Sequence, residues 1–309
     1  MPSRSLPAEI ATPPTQFYHW GEYRCAYEVY TPEAAITDKC PPLLLIHPIG
    51  VGLSRRFWQR FCDEWLRVGR CNPIYNPDLL GCGESDMPRI AYTPADWAQQ
   101  LQHFLQTVVN QPVILVVQGA LLPVALELVQ LQTQSNLVRG LVLAGPPAWA
   151  VITKTSPTWR QRVAWNLLDS PLGNAFYRYA RRQQFLSSFS TRQLFADAHA
   201  VDAEWLDTLE AGAKDAASRH AVFSFLAGFW RQDYKKAIAA IFQPTLVVLG
   251  EQASSISQAG KAEIPDERLA DYLQYLPKGR GLKIPGRNVL PYESTCEFVS
   301  AIAPFVDEC

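Results

Sequence analysis

Apolar residues along this chain fall into short unbroken runs separated by stretches with helical spacing. Residues 41–47 (PPLLLIH) and 112–117 (PVILVV) are continuous apolar runs, the mark of strands buried on both faces. Residues 16–30 read as two strands, the second with alternating faces, and further strands are expected at 73–76, 140–145, 245–250 and 281–284. Between them the period lengthens to three or four residues. Helices are expected at 53–68, at 93–109 with Thr93 as N-cap and Pro94 in the first helical position, at 123–130 and at 292–305. From 146 to 242 the pattern is helical without strands. Alternating strands and helices imply an α/β fold with a mostly parallel central sheet and helices on both faces. The division expected is a loose leader at 1–15, a core of 16–145 and 243–309, and a helical lid at 146–242 over the carboxyl edge of the sheet, where such sheets bind ligands.

Composition narrows the function classes. The 309 residues are 48% hydrophobic and 18% charged, with a formal net charge of −1, so no basic face argues for nucleic acid. No stretch approaches about 20 apolar residues, so no transmembrane helix is expected. The first residues lack the apolar core of a secretory signal and read as a loose leader or the stub of a transit peptide. Seven cysteines without C-x-x-C spacing argue against a disulfide framework and structural zinc, leaving reduced thiols in a cytosol-like compartment. No metal and no cofactor is expected.

Four local patterns, in order, carry a resemblance. His47-Pro48-Ile49-Gly50 follows a buried strand. Asp78-Leu79-Leu80-Gly81-Cys82-Gly83-Glu84-Ser85 follows the next and leads to Tyr92-Thr93. Val117-Gln118-Gly119-Ala120-Leu121 occupies a strand–turn–helix. The runs 244–251 and 284–286 (Ile-Pro-Gly) come last. Together they resemble the oxyanion loop, the D-x-x-G-x-G-x-S loop, the nucleophile elbow and the acid- and histidine-bearing strands of α/β-hydrolase fold proteins. The look is nearest to the plastid and cyanobacterial pheophytinase-like hydrolases.

The resemblance places the family's serine at Gly119, its acid at Ala253 and its histidine at Val289. No small register shift restores any of them. Between 111 and 132 there is no Ser, Thr, Cys or Asp, and no histidine follows His220. Loss of nucleophile or base alone costs on the order of 10⁶ in turnover in a comparable serine hydrolase. What the resemblance leaves is an oxyanion pocket of the Ile49 and Ala120 backbone N–H groups.

Several residues are candidates to line the cleft. Gly119 either relieves elbow strain or opens room. His47 reads as a loop histidine bonded to backbone, and Cys82 as a small buried residue; both remain ligand candidates, as does Gln118. Arg287 is placed to pair with an acidic ligand or with Asp78, beside Asn288. Ser187, Ser188, Ser190, His199 and His220 lie in the helical stretch without catalytic spacing. Aromatics interleaved with arginines at 176–185 either bury a stripe against the core or offer a surface to an apolar ligand, a membrane interface or a protein partner.

The expectation is a non-catalytic member of the fold that binds an apolar ligand or a partner through cleft and lid, in the cytoplasm or a plastid stroma. One rival is a hydrolase of a hydrophobic, phytyl-type ester using a relocated site. The other is a scaffold in which Leu121 and Leu122 help to close the cleft.

Overall fold

Apolar runs that cannot face water on either side assemble the centre of the sheet. A computed structural model describes residues 12–32, 40–132 and 136–309; most of the expected leader, 1–11, lies outside the described residues. Eight strands, β1 (Gln16–Trp20), β2 (Tyr23–Tyr30), β3 (Leu43–Ile46), β4 (Ile74–Pro77), β5 (Val113–Gln118), β6 (Val138–Ala144), β7 (Thr245–Gly250) and β8 (Gly279–Ile284), form one sheet in the order β1-β2-β4-β3-β5-β6-β7-β8. The β1–β2 and β2–β4 pairs are antiparallel and every pair from β4 to β8 is parallel. All residues of β3, β5 and β7 are buried. Each such Val, Leu or Ile contributes about 1.5–3 kcal/mol by leaving water.

Helices α1 (Gln59–Arg67), α2 (Pro94–Phe104) and α3 (Leu122–Leu131) connect the first strands. The expected helix at 53–68 is shorter, because Ser54 caps a 3₁₀ turn at Arg55–Trp58 before α1 begins. Helix α2 starts as its sequence requires: Thr93 Oγ1 accepts from Asp96 N at 3.3 Å and Asp96 Oδ2 accepts from Thr93 N at 2.8 Å, a capping box ahead of Pro94. Between β6 and β7 come α4 (Trp149–Ile152), α5 (Thr158–Leu168), α6 (Pro171–Ala180), α7 (Gln183–Phe189), α8 (Ala203–Gly212), α9 (Arg219–Ala227) and α10 (Lys235–Ala239). Helix α11 (Pro265–Tyr275) precedes β8. The expected final helix is two, α12 (Leu290–Glu293) and α13 (Thr295–Glu308).

The reduced-thiol expectation needs correction at one pair. Cys40 and Cys71 form a disulfide with Cα atoms 5.7 Å apart. They lie 31 residues apart in sequence, each just before a strand, and the parallel pairing of β3 with β4 brings those strand entrances together. Cys25, Cys62 and Cys82 are buried free thiols.

The helices from α4 to α10 are held to the sheet by an unusually close backbone contact. A Cβ on Gly52, in the loop after β3, would collide with the Leu209 carbonyl of α8, and a Cβ on Gly212 with the Gly52 carbonyl. Only glycine permits both approaches, and Gly52 also has φ +77°.

Candidate functional site

The carboxyl ends of five parallel strands converge on one cavity of about 420 Å³. Pro48–Leu53 follow β3, Gln118–Ala120 close β5, Gly145–Ala148 follow β6, Ser254–Ser257 follow β7, and Asn288 and Val289 follow β8. The roof comes from the helices between β6 and β7, through Phe176, Phe185, Leu186, Phe189, Trp205, Val222 and Trp230. The volume falls within the range of ordinary small-molecule sites, roughly 300–1,000 Å³.

At the turn after β5, Gly119 has φ +61°, and a Cβ there would meet nothing within 4 Å. Its left-handed backbone suits glycine, and its absent side chain leaves open space, so both expectations for this residue describe one geometry. Ile49 and Ala120 line the cavity beside it. Val289 lines it too and is nearly fully buried, whereas Ala253 is buried just behind, with Ser254 at the wall. Leu121 and Leu122 pack into the hydrophobic core rather than into the cavity.

Among the described residues, the cavity wall has no histidine, cysteine or carboxylate. Its serines are engaged as acceptors. Ser190 Oγ accepts from Trp205 Nε1 at 2.8 Å, Ser254 Oγ from Arg287 Nε at 2.8 Å, Ser255 Oγ from Ser257 N at 3.1 Å and Ser257 Oγ from Arg231 Nη2 at 3.1 Å. Among the described residues, none of these hydroxyls is hydrogen-bonded to a histidine or a carboxylate. His199 and His220 are not brought to the wall; buried His220 has Nε2 3.7 Å from Asp169 Oδ1, and burial lowers its pKa.

Two cleft candidates, His47 and Cys82, lie behind the wall. His47 is fully buried and bonded to backbone as expected: Nδ1–H donates to Pro48 O at 2.8 Å and Nε2 accepts from Leu79 N at 3.1 Å. Both ring nitrogens are used by backbone in the neutral form. Burial lowers its pKa, more than neighbouring Asp78 raises it. Cys82 is buried in the core, and burial, with Asp78 adding, pushes its thiol far above the usual range, so it is no nucleophile. The 78–85 loop misses the cavity because it folds inward and α9 covers it, with Ala221 packed against Gly81.

Arg287 does not pair with Asp78. That carboxylate is held by Arg55, whose guanidinium also pairs with Glu28 at 2.9 Å and Glu84 at 2.7 Å. Arg55 is 1% exposed and was not singled out by sequence patterning; the one signal was a cation set among aromatics at the start of an apolar helix. Arg287 instead donates from Nη1 to Arg192 O at 2.7 Å. Asn288 extends this clasp: Nδ2 donates to Gln193 O at 2.7 Å, and its carbonyl accepts from Gln118 Nε2 at 2.7 Å. That bond fixes the Gln118 amide, whose Oε1 is buried without a partner. Gln118 and Asn288 are thus the polar residues that meet at the elbow.

A mostly parallel sheet, a left-handed strand–helix turn and a cavity at the carboxyl edge define the α/β-hydrolase class. The sequence profile of the alpha/beta hydrolase family matches residues 43–302, and the chain belongs to that family. A comparison with curated proteins returns no significant match. Among solved structures, the chain is similar to a putative alpha/beta hydrolase from Nostoc sp. PCC 7120 (TM-score 0.73, 18% identity, covering 96% of this chain and 98% of that one). It is similar also to a thermophilic esterase from Thermogutta terrifontis (0.70, 17%, 96% and 98%) and to the enol-lactonase from Burkholderia xenovorans LB400 (0.70, 12%, 94% and 99%). At these identities the likeness is one of fold.

Proposed function

We propose that this chain is a non-catalytic α/β-hydrolase-fold protein that holds an apolar ligand in the cavity beneath a helical lid, residues 146–242. In this reading the triad positions are Gly119, Ala253 and Val289. The observation that carries it is the cavity wall: largely apolar and open at Gly119, without a histidine, cysteine or carboxylate among the described residues and with its serines bonded as acceptors. An attack on a carbonyl needs a nucleophile, a base and an orienting group within hydrogen-bond reach of one another. A pocket of about 420 Å³ favours binding over a scaffold with a closed cleft. The relocated-site hydrolase of phytyl-type esters lacks a base near the cavity's serines. The unpartnered Gln118 Oε1 offers one fixed acceptor for a ligand hydroxyl or N–H, since a buried acceptor left unmet costs about 1–3 kcal/mol.

Among the described residues no helix is long and apolar enough to cross a membrane. We infer that the Cys40–Cys71 disulfide favours a compartment less reducing than the expected cytosol-like setting. The test is the purified protein against p-nitrophenyl esters from butyrate to palmitate, alongside displacement of N-phenyl-1-naphthylamine by long-chain alcohols. Dye displacement without ester turnover is expected. Turnover that vanishes on a substitution at the cavity wall would overturn the proposal.

A further inference from the structure

Helices α5 and α6 are apolar on the wrong side as well as the right one. Their inner faces are accounted for: Gln161 Nε2 donates to Gly228 O, Trp165 and Leu168 pack on the Tyr177–Phe223 cluster, and Gly173 and Ala180 are buried. The outer faces carry a second apolar stripe. On α5, Trp159 is 62% exposed, with Val163 and Leu167 each more than half exposed at the i, i+4, i+8 spacing that keeps one face. On α6 a matching stripe at i, i+4, i+7 holds Leu172, 71% exposed, Phe176, 40% exposed, and Tyr179, more than half exposed. A helix apolar all round is normally buried all round. Six large apolar side chains on two successive helices exceed the scattered singles expected of a surface.

The charge on this stretch identifies the cover. Residues 158–192 contain six arginines (160, 162, 178, 181, 182 and 192), no lysine, and one acid, Asp169. With 28 basic and 29 acidic residues overall, the stretch is +5 on a body that is −6. Asp169 is itself engaged by Arg89 at 3.0 Å, from outside the stretch. Two arginines lie by exposed rings, Arg160 5.2 Å from the Trp159 centroid and Arg182 5.9 Å from that of Tyr179. An apolar stripe bordered by arginines and aromatics, with its acid neutralised, complements the acyl–headgroup boundary of an anionic bilayer. A second copy would bring the same +5 against it.

We infer that the α5–α6 face docks on the surface of an anionic phospholipid membrane. Phe176 links this surface to the cavity, because it belongs to the exposed stripe and also lines the wall, followed on the same helix by Ala180. The docked face therefore adjoins the mouth through which an apolar ligand would enter. The docking itself does not depend on the cavity being occupied.

The experiment is co-sedimentation of the full chain with phosphatidylcholine vesicles, with and without a third phosphatidylglycerol. Binding to the anionic vesicles alone, weakened by salt, is expected. Leu172→Ser with Trp159→Ser should abolish it. Each arginine removed should lower partitioning about fivefold, so R160A/R162A should lose roughly 25-fold. These side chains are exposed, and an unchanged melting temperature shows that the variants fold. Absence of binding to anionic vesicles, or binding indifferent to these substitutions, would overturn the inference. So would a concentration-dependent dimer in light scattering that Leu172→Ser dissolves, which assigns the face to a second copy.

Discussion

Two buried regions of this protein, neighbours across one sheet edge, are made of opposite materials. Behind the wall, Arg55 with Asp78, Glu28 and Glu84, and His47 with two backbone partners, form a dense polar cluster. In front of it the cavity is lined mostly by glycine, alanine, aliphatic and aromatic residues, with Gln118, Asn288, Arg231, Arg268 and four serines as its polar minority. Several residues that make the chain resemble a hydrolase, His47 and Asp78 among them, sit in the first region, and the turn after β5 opens on the second. A family motif can therefore persist for the architecture it holds, independently of the reaction the fold hosts elsewhere.

The largest test of that contrast is Arg55→Ala. It strands the two buried carboxylates, Asp78 and Glu28, and breaking such a buried cluster should cost about 3–5 kcal/mol, read as a lost or strongly lowered denaturation midpoint. A loss below about 1 kcal/mol would show that the cluster is not structural. Next, Cys71→Ser lies outside both regions and opens the disulfide. Releasing a 31-residue separation should cost about 4 kcal/mol on the chain-entropy account, so the reduced wild type and the variant should melt together.

Gly119→Ser tests the cavity side. The space is open but φ is positive, so a cost of about 1–2 kcal/mol is expected, with no gain of ester hydrolysis. A burst of p-nitrophenol from this single variant would reveal a working base and break the comparison.

The smallest effect concerns pH. His47 and His220 have folded pKa values lowered by burial. The unfolded chain therefore binds protons that the folded one refuses as pH drops below about 6.5. Their contribution is complete above that value and is lost as the pH falls toward the lowered folded values. Melts at pH 7.5 and 5.5 should differ in that direction, and His47→Asn should narrow the gap.

Much of the fold could be read beforehand because it depends on local period. The 245–250 run became β7 residue for residue, and Thr93-Pro94 opened α2, since burial on both faces and capping are written in adjacent residues. Pairing across distance could not be read. Cys40–Cys71 follows from which strands lie side by side, and spacing rules look only along the chain. For the site, sequence placed Gln118, Gly119, Asn288 and Val289 in loops that the fold brings to one cavity. It could not tell the two sides of the wall apart. Cys82 and His47 are in the right loops but point into the core, and Arg287 faces the helices from α4 to α10 rather than Asp78.

The bare contact of Gly52 with Leu209 and Gly212 has a mechanical consequence. Two backbones meeting without side chains between them have no rotamers to change and no gap to slide through, so this point acts as a fulcrum. Helix α8 cannot lift there without separating main chain from main chain. Any widening of the mouth must be a swing about that pivot, with its greatest travel elsewhere in the helical segment. Amide exchange should accordingly be slow at Leu209–Gly212 and fast along α5 and α6.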